Sequence, residues 1–423
     1  MLKGMDVPDA IQLMGDKQWQ EIKSRLTGKF NKMMKGLFRQ KGAQLDINIL
    51  ASDEAQEFIT THAGILDGGF QKVEMSDKMR ERLTRSNYIF SGIKTFHELN
   101  EAFPSMLDEN GNKKPFERFL NDVQKINDTY NANYLHAEYN FVQASATMAA
   151  KWEQFSEDGD RYYLQYRTAK DDKVRPEHAA LDGVTLPMSD SFWETYYPPN
   201  GWNCRCTVVQ VRKQKYPATE HSDAMSRGEE AMNGERYNIF RFNSGKQGKT
   251  MPDYNPYTIK RCNDCDVAKG KLKLGFVPDY QLCQGCIMIR KCSEDRNKDN
   301  SAKATKKSPE VKKLQGTTIS NPDFNHEVLV TGGSIREWTN QPHKEYAAKN
   351  SILKHIAKVF REANYIGIVD NFKKKPGVKQ SHLFETNVLG ELSWIIVREY
   401  EIGEFVLHSI SDSDKIKTGI RKE

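Results

Sequence analysis

YRTAKDDKVRPEHAALDGVTLPMSDSFWETYYPPNGWNCRCTVVQV, residues Tyr166 to Val211, is the stretch on which the reading of this chain turns. A polar loop around Asp171, Asp172, Val174, Arg175 and Pro176 leads to His178. Asp182-Gly183 marks a glycine turn, Trp193 follows, and Pro198-Pro199-Asn200-Gly201 marks a second turn. The run Val208, Val209, Val211 closes the stretch as a strand, and Tyr162–Tyr166 opens it as another. Cys204 and Cys206 stand one residue apart, so in extended backbone they point to the same side. Neutral imidazole and thiolate are good zinc ligands, and three of them would leave one position for water. His178, Cys204 and Cys206 therefore form a structural cluster, a metal site or a catalytic one, and the residues alone leave the three open. Arg175 with Asp171 or Asp172 reads as a salt-bridged turn.

Working outward, 423 residues predict two to three domains. Hydrophobic content of 38% and a mean hydropathy of −0.73 describe a polar chain without an apolar run long enough for a membrane span. The first residues lack the apolar core of a secretory signal, so none is expected. A net charge of +6 suits DNA or RNA contact without requiring it. Residues 1–90 read as polar and helical, anchored by Ile11, Leu13, Leu26, Phe30, Met33, Met34, Leu37 and Phe38. From Pro115, apolar residues recur at helical spacing through Met148, predicting one helix of about 35 residues and roughly 50 Å.

A second cysteine group, Cys262-x2-Cys265 and Cys283-x2-Cys286, is separated by seventeen residues. Four thiolates on two tight turns suit a tetrahedral structural zinc, with disulfides or a redox role as the alternatives. Residues 294–315 are Lys-rich, lack aromatics and read as a linker. Apolar patterning then returns. Glu327–Val330 is strand-like, Lys344–Ala363 is an amphipathic helix, and Glu391–Tyr400 and Glu404–Ser411 are paired strands. Lys349 lies three before Ile352 and seven before Ile356, so it projects from the helix's apolar side. His382 sits in an alternating segment, and Ser409 alternates with Leu407 and Phe405.

The 166–211 stretch resembles the phage Mu F-like head morphogenesis family. The residues that carry the resemblance are Asp172, Val174, Arg175-Pro176, His178, Leu181, Gly183, Trp193, Pro198-Pro199, Gly201 and Cys204-Arg205-Cys206. It covers roughly residues 90–215 and implies a minor capsid protein near the portal, located in the virion, with portal and capsid proteins as partners. Residues 316–423 resemble the phage-type barnase–EndoU–colicin–RelE-like nucleases. That resemblance implies a metal-independent, toxin-like RNase. Its catalytic set would be His343, Lys349, His382 and Ser409, with Arg336 on the phosphate. His343 and His382 would be the acid–base pair acting on a ribose 2′-hydroxyl.

The expected fold class is α+β and multidomain. A helical region (1–90) precedes a mixed Mu F-like domain (91–250) and a four-cysteine zinc knuckle (251–293). A linker (294–315) then leads to a nuclease-like module with an antiparallel sheet (316–423). The alternative is a purely structural capsid protein whose C-terminal module only binds nucleic acid or protein.

Overall fold

A computed structural model describes residues 16–252, 255–257, 284–341, 346–370, 375–388 and 391–421. The chain divides into two compact units, 1–293 and 294–423.

Helices α1 (Asp16–Phe38), α2 (Asp53–Gly68), α3 (Asp77–Ala102), α4 (Phe116–Asn127) and α5 (Leu135–Asp158) build most of the first unit. On α1, Leu26, Phe30, Met33, Met34 and Leu37 fall on one face at helical spacing and are wholly buried. Ser52 and Ser76 start α2 and α3 by accepting the backbone N–H of Ala55 (3.3 Å) and Met79 (3.1 Å). Helix α3 runs across residue 90, and one core joins Leu26 to Ile289. The regions expected at 1–90 and 91–250 therefore share an interior rather than meeting at a boundary near 90.

The long helix expected from Pro115 is interrupted. Between α4 and α5 lies a π-helical turn, Asp128–Asn133. Its Tyr130 explains the break: the carbonyl accepts from Lys94 Nζ at 2.7 Å, and the hydroxyl lies 2.9 Å from His97 Nε2 and 3.0 Å from Glu101. An inserted residue turns these groups inward, a known cause of π turns.

Lys94 is the centre of a buried ionic knot. Its three N–H groups meet three acceptors: Glu138 Oε2 (2.8 Å), the Tyr130 carbonyl and His62 Nε2 (3.0 Å). His62 Nδ1 reaches Ser91 Oγ at 2.8 Å, and Glu138 also accepts from the Tyr257 hydroxyl. Burial, reinforced by the Lys94 charge, lowers His62 to about 4, which suits its role as a neutral acceptor. One turn further along α3, Glu98 is fully buried and, among the described residues, neither carboxylate oxygen has a partner at full hydrogen-bond geometry, the Asn131 side chain being the polar group beside it.

Strands β1 (Tyr163–Arg167), β2 (Thr185–Pro187) and β3 (Thr207–Val211) form a small antiparallel sheet in the order β2-β1-β3. The expected flanking strands of the central stretch are thus present. Trp193 is wholly buried and donates to the Pro187 carbonyl at 3.0 Å.

In the second unit, the segment expected as a linker is helical. Residues 294–315 fall on α6 (Gln284–Lys307) and α7 (Pro309–Leu314). Lys, Glu and Ala are good helix formers. Ala302, Thr305 and Val311 are buried and tie the helices down.

Strands β4 (Thr318–Asn321), β5 (Phe324–Leu329), β6 (Asn364–Asp370), β7 (Val378–Val388), β8 (Glu391–Tyr400) and β9 (Phe405–Ser411) form one sheet in the order β4-β5-β9-β8-β7-β6. The sheet is mixed rather than purely antiparallel, because β5 pairs with β9 in parallel. It also curls. Phe324 on β5 and Tyr365 on β6 have ring centroids 5.4 Å apart, whereas four flat interstrand steps would separate those strands by about 19 Å.

Helices α8 (Gly332–Asn340), α9 (Tyr346–Ser351) and α10 (Ile356–Glu362) supply Trp338, Ile356 and Phe360 to a core with Phe384, Val397 and Leu407. On the opposite face of the sheet, Val369, Leu383 and Ile396 pack with Ile416 and Ile420. Among the described residues, no helix is long and apolar enough to cross a membrane.

Candidate metal centre

The loop after β1 is organised by its own side chains. Asp182 accepts from the backbone N–H (2.8 Å) and hydroxyl (3.0 Å) of Thr168. Asp171 is gripped by both ends of the Arg205 guanidinium at 2.5 and 2.6 Å. Arg205, between the two cysteines, is therefore the partner of Asp171. Arg175, expected to form that pair, donates instead to the Trp202 carbonyl at 2.6 Å.

Gly201 lets Arg175 and His178 pack closely against the turn. A Cβ there would lie 3.0 Å from Arg175 Nη1 and 3.7 Å from His178 Cε1. Pro176 starts the short helix Pro176–Ala179 that carries His178, and the turn ending at Gly201 delivers Cys204 and Cys206 opposite it.

The result is a buried three-residue cluster. The Sγ atoms of Cys204 and Cys206 lie 3.7 and 3.8 Å from His178 Nδ1. All three ligand atoms fall within 4.8 Å of one another. A tetrahedral zinc with bonds of about 2.3 Å to sulfur and 2.0–2.1 Å to nitrogen would set nitrogen and sulfur about 3.6 Å apart. The donor set and spacing therefore fit such an ion. Both sulfurs face one ring nitrogen, as the shared side of an extended C-x-C predicts.

The sulfurs share a proton unequally: the hydrogen bond from Cys206, then that from His178, hold the Cys204 thiol well below its usual range, against burial. The same bond to Cys204, together with burial, pushes Cys206 upward. Beside the cluster is a cavity of ≈ 20 Å³ bordered by Ala169, Lys173, Val174 and Asn203. That is room for about one water-sized ligand.

Of the second cysteine set, Cys262, Cys265 and Cys283 lie outside the described residues. Cys286 is buried on α6. Of the tail residues, His343 also lies outside the described residues.

Lys349 is fully buried on α9 and pairs with Asp412 at 2.7 Å. His382 is buried on β7, with Nδ1 3.0 Å from the Tyr365 hydroxyl and Nε2 3.1 Å from Glu399 Oε2. Burial acts to raise Glu399, but hydrogen bonds from Lys379, His382 and Gln380 outweigh it and hold the carboxyl at about 2.

The structure does not bring Lys349 to His382. His382 is in register with Val397, and Val397 with Leu407. Lys349 is fixed at Asp412, just past the end of β9 and about 13 Å along the sheet from Leu407. Ser409 does not share Leu407's face as simple alternation predicts. A register shift places Ser409 opposite Ile396 while Leu407 stays opposite Val397, which turns Ser409 to the face away from His382. Arg336 is exposed on α8. Tyr365 and Glu399, which the sequence reading missed, are what His382 actually touches.

Residues 110–209 match the family model described as Phage Mu protein F like protein. This match contains His178, Cys204 and Cys206 and lies inside residues 90–215, which carry the resemblance. Residues 296–407 match a second model, Large polyvalent protein-associated domain 3. The chain is 31% identical over 177 residues to the Putative capsid assembly protein F of Escherichia phage Mu, covering 40% of this chain and 38% of that protein. It is 33% identical over 102 residues to the Mu-like prophage FluMu F protein of Haemophilus influenzae, covering 24% of this chain and 22% of that one. The chain thus spans well under half the length of these curated relatives. No solved structure matches it significantly. Neither family description names a nuclease.

Proposed function

We propose that this chain takes part in building a phage head, through the unit that contains residues 110–209. The observation that carries this reading is the 31% identity to a putative capsid assembly protein over 177 residues. Its partners would be portal and capsid proteins and its location the virion. Expressed with phage portal and capsid proteins, the chain should co-sediment with assembled particles. Particles formed in equal yield and form without it would sink the reading.

Within that unit, His178, Cys204 and Cys206 would hold one zinc, with the small cavity taking the fourth ligand. When bound, the ion would supply a cross-link between the helix of His178 and the strand-entry turn. Cys262, Cys265, Cys283 and Cys286 would hold a second, structural zinc. Metal analysis of the purified chain should then find two zinc ions, falling by one in Cys206→Ser and by one in Cys262→Ser. Unchanged zinc in Cys206→Ser would remove the central site.

A second reading concerns residues 316–423 and is favoured by the hydrogen-bonded His382. There the C-terminal unit would cleave RNA without a catalytic metal, with basic segments of the chain touching DNA or RNA. His343, Lys349, Ser409 and Arg336 are the companions that the nuclease resemblance implies for it. The buried pairing of Lys349 with Asp412 suits a structural part for that lysine.

A further inference from the structure

We infer that the reaction centre of the C-terminal unit is the hydrogen-bonded row Glu399–His382–Tyr365 together with the exposed His326, and that its substrate is single-stranded RNA. This rests on the RNA-cleavage reading above and changes which residues carry it.

The row lies across three neighbouring strands, β6, β7 and β8, and the curl of the sheet brings β5 over it. His382, Glu399 and Phe405 share the concave face, and β5 brings Phe324 and His326 onto the same face from across the curl. Phe324 sits at the centre, its ring within 4.9–5.4 Å of His326, Tyr365, His382, Phe384 and Phe405. His326 is exposed and stacks on Phe405 at 4.1 Å, with the planes 19° apart. Tyr365 and Phe405 are half-buried, so the aromatic face reaches the surface at the end where His326 stands.

The proton positions follow from the charges. Glu399 is ionised, so His382 Nε2 donates to it and Nδ1 accepts from the Tyr365 hydroxyl. A carboxylate that orients an imidazole, which in turn draws on a hydroxyl, is the general form of an activated acid–base group. Tyr365 is the member of the row that substrate would reach, and His326 is a second titratable group a few ångströms beyond the Phe324 ring.

Two proton-transfer groups flanking an aromatic platform suit a substrate that brings its own nucleophile, and the ribose 2′-hydroxyl is one. The 2′-oxygen attacks the adjacent phosphorus and forms the O2′–P bond. Its proton passes to Tyr365 Oη as the Tyr365 proton moves to His382 Nδ1, and Glu399 stabilises the imidazolium. The P–O5′ bond breaks, and the leaving oxygen takes a proton from protonated His326. The products are a 2′,3′-cyclic phosphate and a 5′-hydroxyl. The open aromatic surface beside His326 would stack an unpaired base.

The test uses the full chain without added metal, a mixed-sequence single-stranded RNA and its all-deoxy counterpart. The wild type should cleave RNA to cyclic phosphate ends and leave the DNA intact. Tyr365→Phe, which removes only the hydroxyl, and His326→Ala should each lower kcat at least 100-fold. Glu399→Gln acts through His382, so it should lower kcat tenfold or more with KM within twofold, and Glu399→Asp should regain part of the loss. Circular dichroism matching the wild type excludes misfolding. Cleavage by the wild type that survives Tyr365→Phe within twofold overturns this centre and leaves the RNA-cleavage reading standing. Cleavage of the DNA overturns the 2′-hydroxyl step. No cleavage of either by the wild type overturns the reading and the centre together.

Discussion

Lys94→Met is expected to destabilise the N-terminal unit by about 3–5 kcal/mol, the usual cost of removing one partner from a buried ion pair. Three acceptors lose their donor at once: Glu138 Oε2, the Tyr130 carbonyl and His62 Nε2. Glu138 would then be a buried carboxylate left with the Tyr257 hydroxyl and with His62 Nε2 at 3.3 Å. Its carboxyl now titrates near 2, where burial works upward but Lys94, then His62, outweigh it. The π turn would lose the contact that draws Tyr130 inward, so the junction of α4 and α5 should loosen with it. Urea unfolding followed by circular dichroism reads the loss. Lys94→Met combined with Glu138→Leu should recover part of it, because no charge is then left without a partner. A loss below about 1 kcal/mol in the single variant would mean that this knot is not what ties α2, α3 and α5 together.

The opposite sign is expected one helical turn away. Burial raises the Glu98 carboxyl from the ordinary 4.5 to about 8, with Lys94 and the Asn131 side chain opposing and Glu138 and Glu101 adding. The folded chain therefore keeps this proton between pH 4.5 and 8, where the unfolded chain has released it. More protons bound in the folded state means that stability falls as pH rises through that window and is level above it. Glu98→Gln keeps the shape and removes the ionisation. It should stabilise the protein by roughly 3 kcal/mol at pH 7 and up to about 5 kcal/mol above pH 8, with the gain vanishing toward pH 4.5. Urea midpoints of both proteins across pH 5–9 check it. Parallel midpoint curves for the two proteins would show that Glu98 does not hold its proton.

These two residues illustrate what periodicity does not reveal. Nothing in the spacing around Lys94 and Glu98 sets them apart from the other charged residues of the chain. Their burial arises because α2, α5 and the π turn close over α3, bringing to Lys94 partners that stand 32 to 44 residues away in the chain. The same blindness affected the tail. Spacing placed Lys349 on the apolar side of its helix, as observed, but Asp412 as its partner is set by how α9 lies against the end of β9. Alternation assigned Ser409 to Leu407's face, and one extra residue in β9 reversed it.

Legible in the sequence itself were the relations that span few residues: the C-x-C pair on one side, the glycine turn, the strands that flank the stretch, and the helical faces of α1. The motif around His178 was legible too, since its many spaced positions are side chains that touch one another locally. Only the tertiary structure decided that His178 Nδ1 meets both sulfurs, that Arg205 rather than Arg175 holds Asp171, and that 294–315 is helix. It alone decided that the sheet curls until β5 meets β6. Apart from the helix, which local propensity also favours, each of these depends on contacts between residues distant in the chain. Such contacts are set by shape and burial together, and periodicity along the chain records neither.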